Sequence, residues 1–167
     1  RQLASQPVVV CEIGGGSTEV LGIQQETIQY SRTYRMGSLR LRRTLEKFNA
    51  PAARFREIME REIDKTAHKI EHEVGAESQV QFVVMGGDVR LLASKLRPDQ
   101  DPESPVRLSL NEIEPFVDEL SKLSVVAVSR KHYLSLPEAE SLTTALLAYV
   151  HIAKALKVNH LWVATPT

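Results

Sequence analysis

The segment Val8-Val9-Val10-Cys11-Glu12-Ile13-Gly14-Gly15-Gly16-Ser17-Thr18-Glu19-Val20 decides how the rest of this chain is read. Val8–Ile13 is apolar and β-branched, the composition of a buried strand. Three glycines follow, then two hydroxyls and a carboxylate, before apolar residues resume at Val20. Without Cβ atoms in the way, the backbone N–H groups of Gly14, Gly15 and Gly16 can turn toward one point and cradle an anion such as a phosphate. Ser17 and Thr18 can add hydroxyl donors. Glu12 and Glu19 bracket the loop, and two carboxylates beside a phosphate repel it unless a cation intervenes. A Mg²⁺ held largely through waters meets that requirement. A plain glycine-rich hairpin from Val8–Ile13 into Thr18–Ile23 would need the turn, but neither the acids nor the hydroxyls.

No Lys follows the glycines, so this is not a Walker loop. The segment after them looks like a strand rather than a helix, which excludes a dinucleotide fingerprint. A strand, a glycine-rich turn and a second strand around a phosphate resembles the actin, Hsp70 and sugar-kinase superfamily. Within it, Glu12-Ile13-Gly14-Gly15-Gly16-Ser17-Thr18-Glu19 resembles the Asp-Ile-Gly-Gly-Gly-Ser-Thr-Glu motif of the exopolyphosphatase and guanosine-pentaphosphate phosphohydrolase (Ppx/GppA) family. Glu12 stands where that family usually has Asp.

The composition is that of an ordinary globular domain, with 167 residues, 43% of them hydrophobic and 25% charged. A formal net charge of zero argues against general nucleic-acid or anionic-membrane binding. Cys11 is the single cysteine and fits a reducing cytoplasm. No apolar run reaches the roughly 20 residues of a membrane span, and no signal peptide is expected. The chain begins with Arg, so a piece of a longer protein is expected.

After Arg1–Pro7, the strands Val8–Ile13, Thr18–Ile23 and Thr27–Tyr34 form an expected antiparallel meander with the phosphate loop at its first turn. Gly37-Ser38 read as a helix start. Arg40, Arg43 and Lys47 then share one helix face, away from Leu41, Leu45 and Phe48. With Arg32, Arg35 and Arg42 they could form a track for a polyanion, or simply a solvated face. A long helix is expected from Pro51 to Val74, closed by Gly75, with Phe55, Ile58, Met59, Ile63, Ala67, Ile70 and Val74 as its buried stripe. His68 and His72 are spaced i, i+4 but have no evident third ligand. Val80–Met85 reads as a strand ending at Gly86-Gly87-Asp88, before a helix over Val89–Leu96. Such a junction presents amides and a helix N-terminus to an anion. Arg97–Val106, with three prolines, reads as a loop. Helices follow over Asn111–Leu123, with Asn111 and Glu114 as a capping pair and Pro115 in the first turn, and over Val125–His132. Ser135 and Glu138 form a capping box opening a helix to about Lys157, which would bury Leu142, Leu146, Tyr149, Ile152, Ala153 and Leu156. Leu161–Ala164 is the last expected strand.

The order β-β-β-α-α-β-α-α-α-β matches one half of the resembled superfamily's duplicated fold, and the resemblance implies an α/β fold, a ribonuclease H-like (actin-like ATPase) domain whose mixed sheet carries an antiparallel meander flanked by helices. The resemblance implies that residues 1–167 are one domain, the second lobe of the family's amino-terminal catalytic unit. It implies phosphate binding by Gly14, Gly15, Gly16, Ser17, Thr18, Gly86 and Gly87, and Mg²⁺ held by Glu12 and Glu19. The family has Thr at the position of Asp88, so that residue departs from the pattern and could instead cap the helix. The implied partners are polyphosphate or a guanosine polyphosphate and the first lobe of the same protein, with a homodimer left open. The family's catalytic Glu lies upstream of the glycine loop, whereas residues 1–11 contain no acid. No catalytic residue is therefore assigned within this chain, and by itself it is expected to be inactive. Two alternatives stay open. One is half of a superfamily small-molecule kinase, and the other is a non-catalytic module sensing polyphosphate or guanosine tetraphosphate.

Overall fold

The computed structural model describes residues 6–48, 54–75, 79–101 and 103–164. Three strands open the fold, β1 (Val8–Ile13), β2 (Thr18–Gln24) and β3 (Thr27–Tyr34), as an antiparallel meander. Gln25 and Glu26, both at positive φ, make the two-residue turn between β2 and β3, whose backbone twist matches that of the strands. Helices α1 (Ser38–Lys47) and α2 (Phe55–Val74) follow, then β4 (Gln81–Met85), α3 (Gly87–Leu96) and β5 (Val106–Ser109). The chain closes with α4 (Leu110–Ser121), α5 (Val125–His132), α6 (Leu136–Ala155) and β6 (His160–Val163). The sheet order is β3-β2-β1-β4-β6-β5, with β1, β4 and β6 parallel and β2, β3 and β5 antiparallel to their neighbours. This is a mixed α/β sheet opened by an antiparallel meander, as expected.

Strand alternation places the core on one face. Val20, Cys11, Val84, Val163 and Val106 lie side by side in register and are all buried. Helix α6 seals that face and contacts every other helix, from α1 to α5. Leu142, Leu146, Tyr149, Ile152, Ala153 and Leu156 are buried as expected, and five further apolar positions of α6 join them: Ala139, Ala145, Leu147, Ala148 and Val150. The helix is buried around its circumference, not along one stripe. On the opposite face of the sheet Val10, Leu21, Val83 and Trp162 are neighbours and only half-buried.

Several expectations need correcting. Strand β5 lay unrecognised at the edge of the expected loop because it is four residues long and follows Pro105. The order is therefore β-β-β-α-α-β-α-β-α-α-α-β. The cap of α4 is Ser109, not Asn111: the Ser109 backbone N–H and hydroxyl donate to Glu112 at 3.0 and 2.7 Å. Pro115 falls in the second turn, where the carbonyl its ring leaves unbonded belongs to the exposed Asn111. In α2, Met59, Ile63, Ala67 and Ile70 are buried, while Phe55, Ile58 and Val74 only pack against the core margin. Gly75 ends α2 in the left-handed conformation, φ 64°. The expected positions of Pro51 and Pro102 lie outside the described residues. Among those described, no helix is long and apolar enough to cross a membrane.

Candidate functional site

Between β1 and β2 the chain turns over four residues, Gly14–Ser17, closed by the Gly14 N–H donating to the Ser17 carbonyl at 2.9 Å. The start of α1 leaves amides without helical partners, and the loop carbonyls take them up. Ser38 N–H donates to Gly14 O (3.0 Å) and Arg40 N–H to Gly15 O (2.9 Å), while Arg40 Nε donates to Gly16 O at 2.7 Å. In a trans peptide the N–H points opposite to the carbonyl of the same unit. With three successive carbonyls aimed at α1, the N–H groups of Gly15, Gly16 and Ser17 are aimed away from it. Among the described residues none of the three meets a protein acceptor. Three successive unpaired donors directed to one side are what an anion site requires. Gly14, expected as a fourth donor, spends its N–H closing the turn.

Of the loop's three glycines, only Gly15 is short of space. None of the three lies at positive φ. A Cβ on Gly15 would touch Leu39 Cδ1 at 3.0 Å, whereas one on Gly16 would meet nothing nearer than Arg40 Nη2 at 3.8 Å. The strict requirement falls on Gly37, at the N-cap of α1, where a Cβ would lie 2.4 Å from the Gly16 carbonyl carbon and 2.5 Å from Ser17 N. Gly37 lets the helix start press against the loop. In the sequence Gly37 reads as a helix start, which does not disclose this contact.

Thr18 departs from the expected role. It is fully buried, and its hydroxyl donates to the Met36 carbonyl at 2.5 Å. It therefore pins β2 to the segment entering α1 and does not face the mouth of the loop. Ser17 stays at the loop, with its hydroxyl donating to Glu19 Oε1 at 2.6 Å.

Glu12 and Glu19 are direct cross-strand partners, both exposed, on the half-covered face of the sheet. Like charges directly opposite destabilise a strand pair. Among the described residues neither carboxylate forms an ion pair with Lys, Arg or His. No cluster of three or more His, Cys, Asp or Glu gathers anywhere among them, His68 and His72 included. Two adjacent uncompensated carboxylates suit a cation that keeps most of its own water, as Mg²⁺ does. Burial, aided by the charges of Glu19 and Glu12, pushes the Cys11 thiol far up, so it stays neutral and is no nucleophile.

The second glycine turn lies beside the first. Gly86 is at φ 122°, a conformation that favours glycine, and is the N-cap of α3. Tyr149 of α6 joins the two turns from beneath: its hydroxyl accepts the Ile13 N–H (2.8 Å) and donates to the Met85 carbonyl (2.6 Å). The ends of β1 and β4 are thereby locked at one separation. Burial drives the Tyr149 phenol strongly upward, so it remains a donor. Periodicity alone marked Tyr149 as core, because nothing in a single sequence shows what its hydroxyl reaches. Gly87 is exposed, and a Cβ on it would meet nothing within 4 Å. Asp88 is not the helix cap, which is Gly86. It lies one residue past the first helical position and accepts from Ser141 Oγ at 3.1 Å. Burial raises its carboxyl above the usual range, opposed by the Ser141 hydrogen bond and reinforced by Glu138.

On its other side the loop borders an open groove of about 560 Å³, lined by Gly15, Gly16, Leu39, Arg40, Arg43, Thr44 and Lys47.

The model of the Ppx/GppA phosphatase family matches residues 1–165. No curated protein matches in sequence. Among solved structures, the Ppx/GppA family member of Aquifex aeolicus superposes with a TM-score of 0.81 at 17% identity, covering 96% of this chain and 52% of that one. An exopolyphosphatase from Cytophaga hutchinsonii gives 0.82 at 17% identity, covering 98% and 54%. A type II variant of the Aquifex aeolicus protein gives 0.73 at 18%, covering 96% and 53%. The chain thus spans about half the length of the structures it resembles, and at these identities the likeness is one of fold.

Proposed function

The chain belongs to the Ppx/GppA phosphatase family, and from that premise we propose that it is the phosphate-holding lobe of a phosphoanhydride hydrolase. The substrate is inorganic polyphosphate or guanosine pentaphosphate, and the product orthophosphate. The observation that carries this reading is the set of outward amides of Gly15, Gly16 and Ser17, fixed because the loop's carbonyls are bound by α1. Phosphoryl transfer asks a protein chiefly for positioning and charge stabilisation. Three rigid donors supply both to the oxygens of a terminal phosphoryl group. The Gly86-Gly87 turn, held level with them by Tyr149, adds the N-terminus of α3. Glu12 and Glu19 would hold Mg²⁺, which when bound neutralises phosphate charge and lets two carboxylates sit beside an anion. The base that activates water is assigned to the other lobe that the family resemblance implies. Neither Glu12 nor Glu19 takes that role.

The test is orthophosphate release from both substrates by the full-length protein, with Glu19→Gln as the variant. Loss of one electrostatic stabiliser lowers the rate by about 10²-fold or more, with partial recovery at higher Mg²⁺. Full activity of Glu19→Gln at unchanged Mg²⁺ dependence would make the acid structural and remove the metal from the account. One observation favours a second reading. Asp88 offers the second turn a carboxyl bonded to Ser141 where the family has a hydroxyl, which suits a module that binds phosphate without turning it over. Binding of polyphosphate with no release by the full-length protein would select that reading.

A further inference from the structure

Resting on the hydrolase reading, we propose that Asp88 is a specificity residue: its carboxylate makes the Gly86-Gly87 turn refuse a free phosphate and accept a substrate phosphate that arrives as its Mg²⁺ complex. Asp88 is the second residue of α3, and at 1.5 Å per residue it stands about 3 Å along the axis from the Gly86 N-cap. The amides of that first turn lack helical partners and carry roughly half a positive charge between them. A phosphate would be drawn to them, but a full negative charge belonging to the chain itself is already there. The Thr that the resembled family has at this position is neutral and leaves the attraction of the amides intact.

The neighbouring elements do not cancel that charge. Among the described residues Asp88 forms no ion pair with Lys, Arg or His. Arg90, the cation nearest in sequence, instead lines a cavity of about 160 Å³ with Ser94, Arg97 and Val106. On α6 three groups lie within electrostatic reach of the carboxylate. Ser141 donates to it at 3.1 Å, Glu138 is a second acid, and the Tyr149 phenol stays neutral. On β1, Glu12 sits opposite Met85, one residue before the turn, and adds negative charge. Asp88 is itself half-buried, so water screens it less than it would a surface acid. A phosphate that brings its own Mg²⁺ supplies the positive charge that the turn lacks.

The experiment titrates the ¹⁵N-labelled full-length protein with pyrophosphate and follows the amide shifts of Gly86 and Gly87, once with a chelator and once with excess Mg²⁺. Wild type is compared with Asp88→Asn and Asp88→Thr. Asn keeps the size of Asp and an oxygen for the Ser141 bond, so it removes the charge alone, and Thr restores the hydroxyl of the family. Unchanged amide shifts elsewhere confirm that each variant folds. Without Mg²⁺ both variants are expected to bind pyrophosphate at these amides about tenfold or more tightly than wild type, the effect of removing a like charge less than a helical turn away under solvent screening. With Mg²⁺ the three proteins should agree within about twofold, because the cation offsets the carboxylate. Three results would each overturn the role of Asp88 and leave the hydrolase reading standing: equal affinity of wild type and Asp88→Asn without Mg²⁺, an advantage of Asp88→Asn undiminished by Mg²⁺, or no response of Gly86 and Gly87 in either condition. Failure of the wild type to release orthophosphate from polyphosphate or guanosine pentaphosphate would overturn the hydrolase reading, and with it the part of Asp88 in choosing a substrate.

Discussion

Gly37→Ala is the most searching single perturbation of the loop. The new Cβ would sit 2.4 Å from the Gly16 carbonyl carbon, 2.5 Å from Ser17 N and 2.6 Å from the Gly15 carbonyl carbon. Against ordinary contact the shortfall is about 1 Å, and every atom it meets is backbone, so no side chain can rotate aside. The backbone of residue 37, at φ −129° and ψ 155°, would accept alanine without strain. On conformational entropy alone the change would stabilise by about 0.4–1 kcal/mol. Overpacking in a well-packed site costs about 1–3 kcal/mol and opposes it. The net expectation is destabilisation by about 1–2 kcal/mol, read as a lower urea midpoint at unchanged slope. The functional loss should be larger. Relief of the clash moves the loop about 1 Å from α1, weakening the Ser38–Gly14 and Arg40–Gly15 bonds that aim the amides. Misplacement on that scale costs about 10²-fold in rate. The assay is phosphate release by the full-length protein beside its urea denaturation. Wild-type values in both would refute the claim that α1 fixes the loop by close backbone contact.

Two other outcomes follow from particular contacts. Tyr149→Phe strands the Ile13 N–H and the Met85 carbonyl at the ends of β1 and β4, and at about 1–2 kcal/mol for each orphaned group should cost about 2–4 kcal/mol of stability in denaturant melts; a loss below about 0.5 kcal/mol would show that water replaces the hydroxyl. Glu112, bonded by Ser109 and paired with Arg97, is held at about 2. A carboxyl depressed by folding contributes stability above its unfolded pKa, near 4.5, that disappears as pH falls toward 2. Thermal melts of Glu112→Gln should therefore be flatter than wild type across that interval, and an identical pH slope would contradict the assignment.

The sequence disclosed those parts of the fold that local chemistry dictates. The β1–β2 hairpin, the Gly75 terminus of α2, the Ser135–Glu138 start of α6 and its buried positions all follow from spacing and turn residues, and the structure has them. What escaped was set by contacts far apart in the chain. Thr18 reads as a donor beside the glycines, yet the Met36 carbonyl, 18 residues on, turns its hydroxyl inward. Tyr149 reads as core, yet its hydroxyl spans 136 residues to reach Ile13. Strand β5 has only four residues, too few for a period, and is a strand because β6 pairs with it. The glycine triplet marks the β1–β2 turn, and the structure revises why it is there. Its amides are presented by the bonds of α1 to its carbonyls, and the tightest steric demand belongs to Gly37.

On the proposed function, the amides of Gly15, Gly16 and Ser17 receive a phosphoryl group. Amide chemical shifts of the ¹⁵N-labelled protein, titrated with pyrophosphate and Mg²⁺, test it directly. Those three resonances should move together and saturably, with Gly87 shifting less and Gly14, its N–H already bonded within the turn, least of all. Saturable binding that moves other amides and leaves these three in place would contradict it.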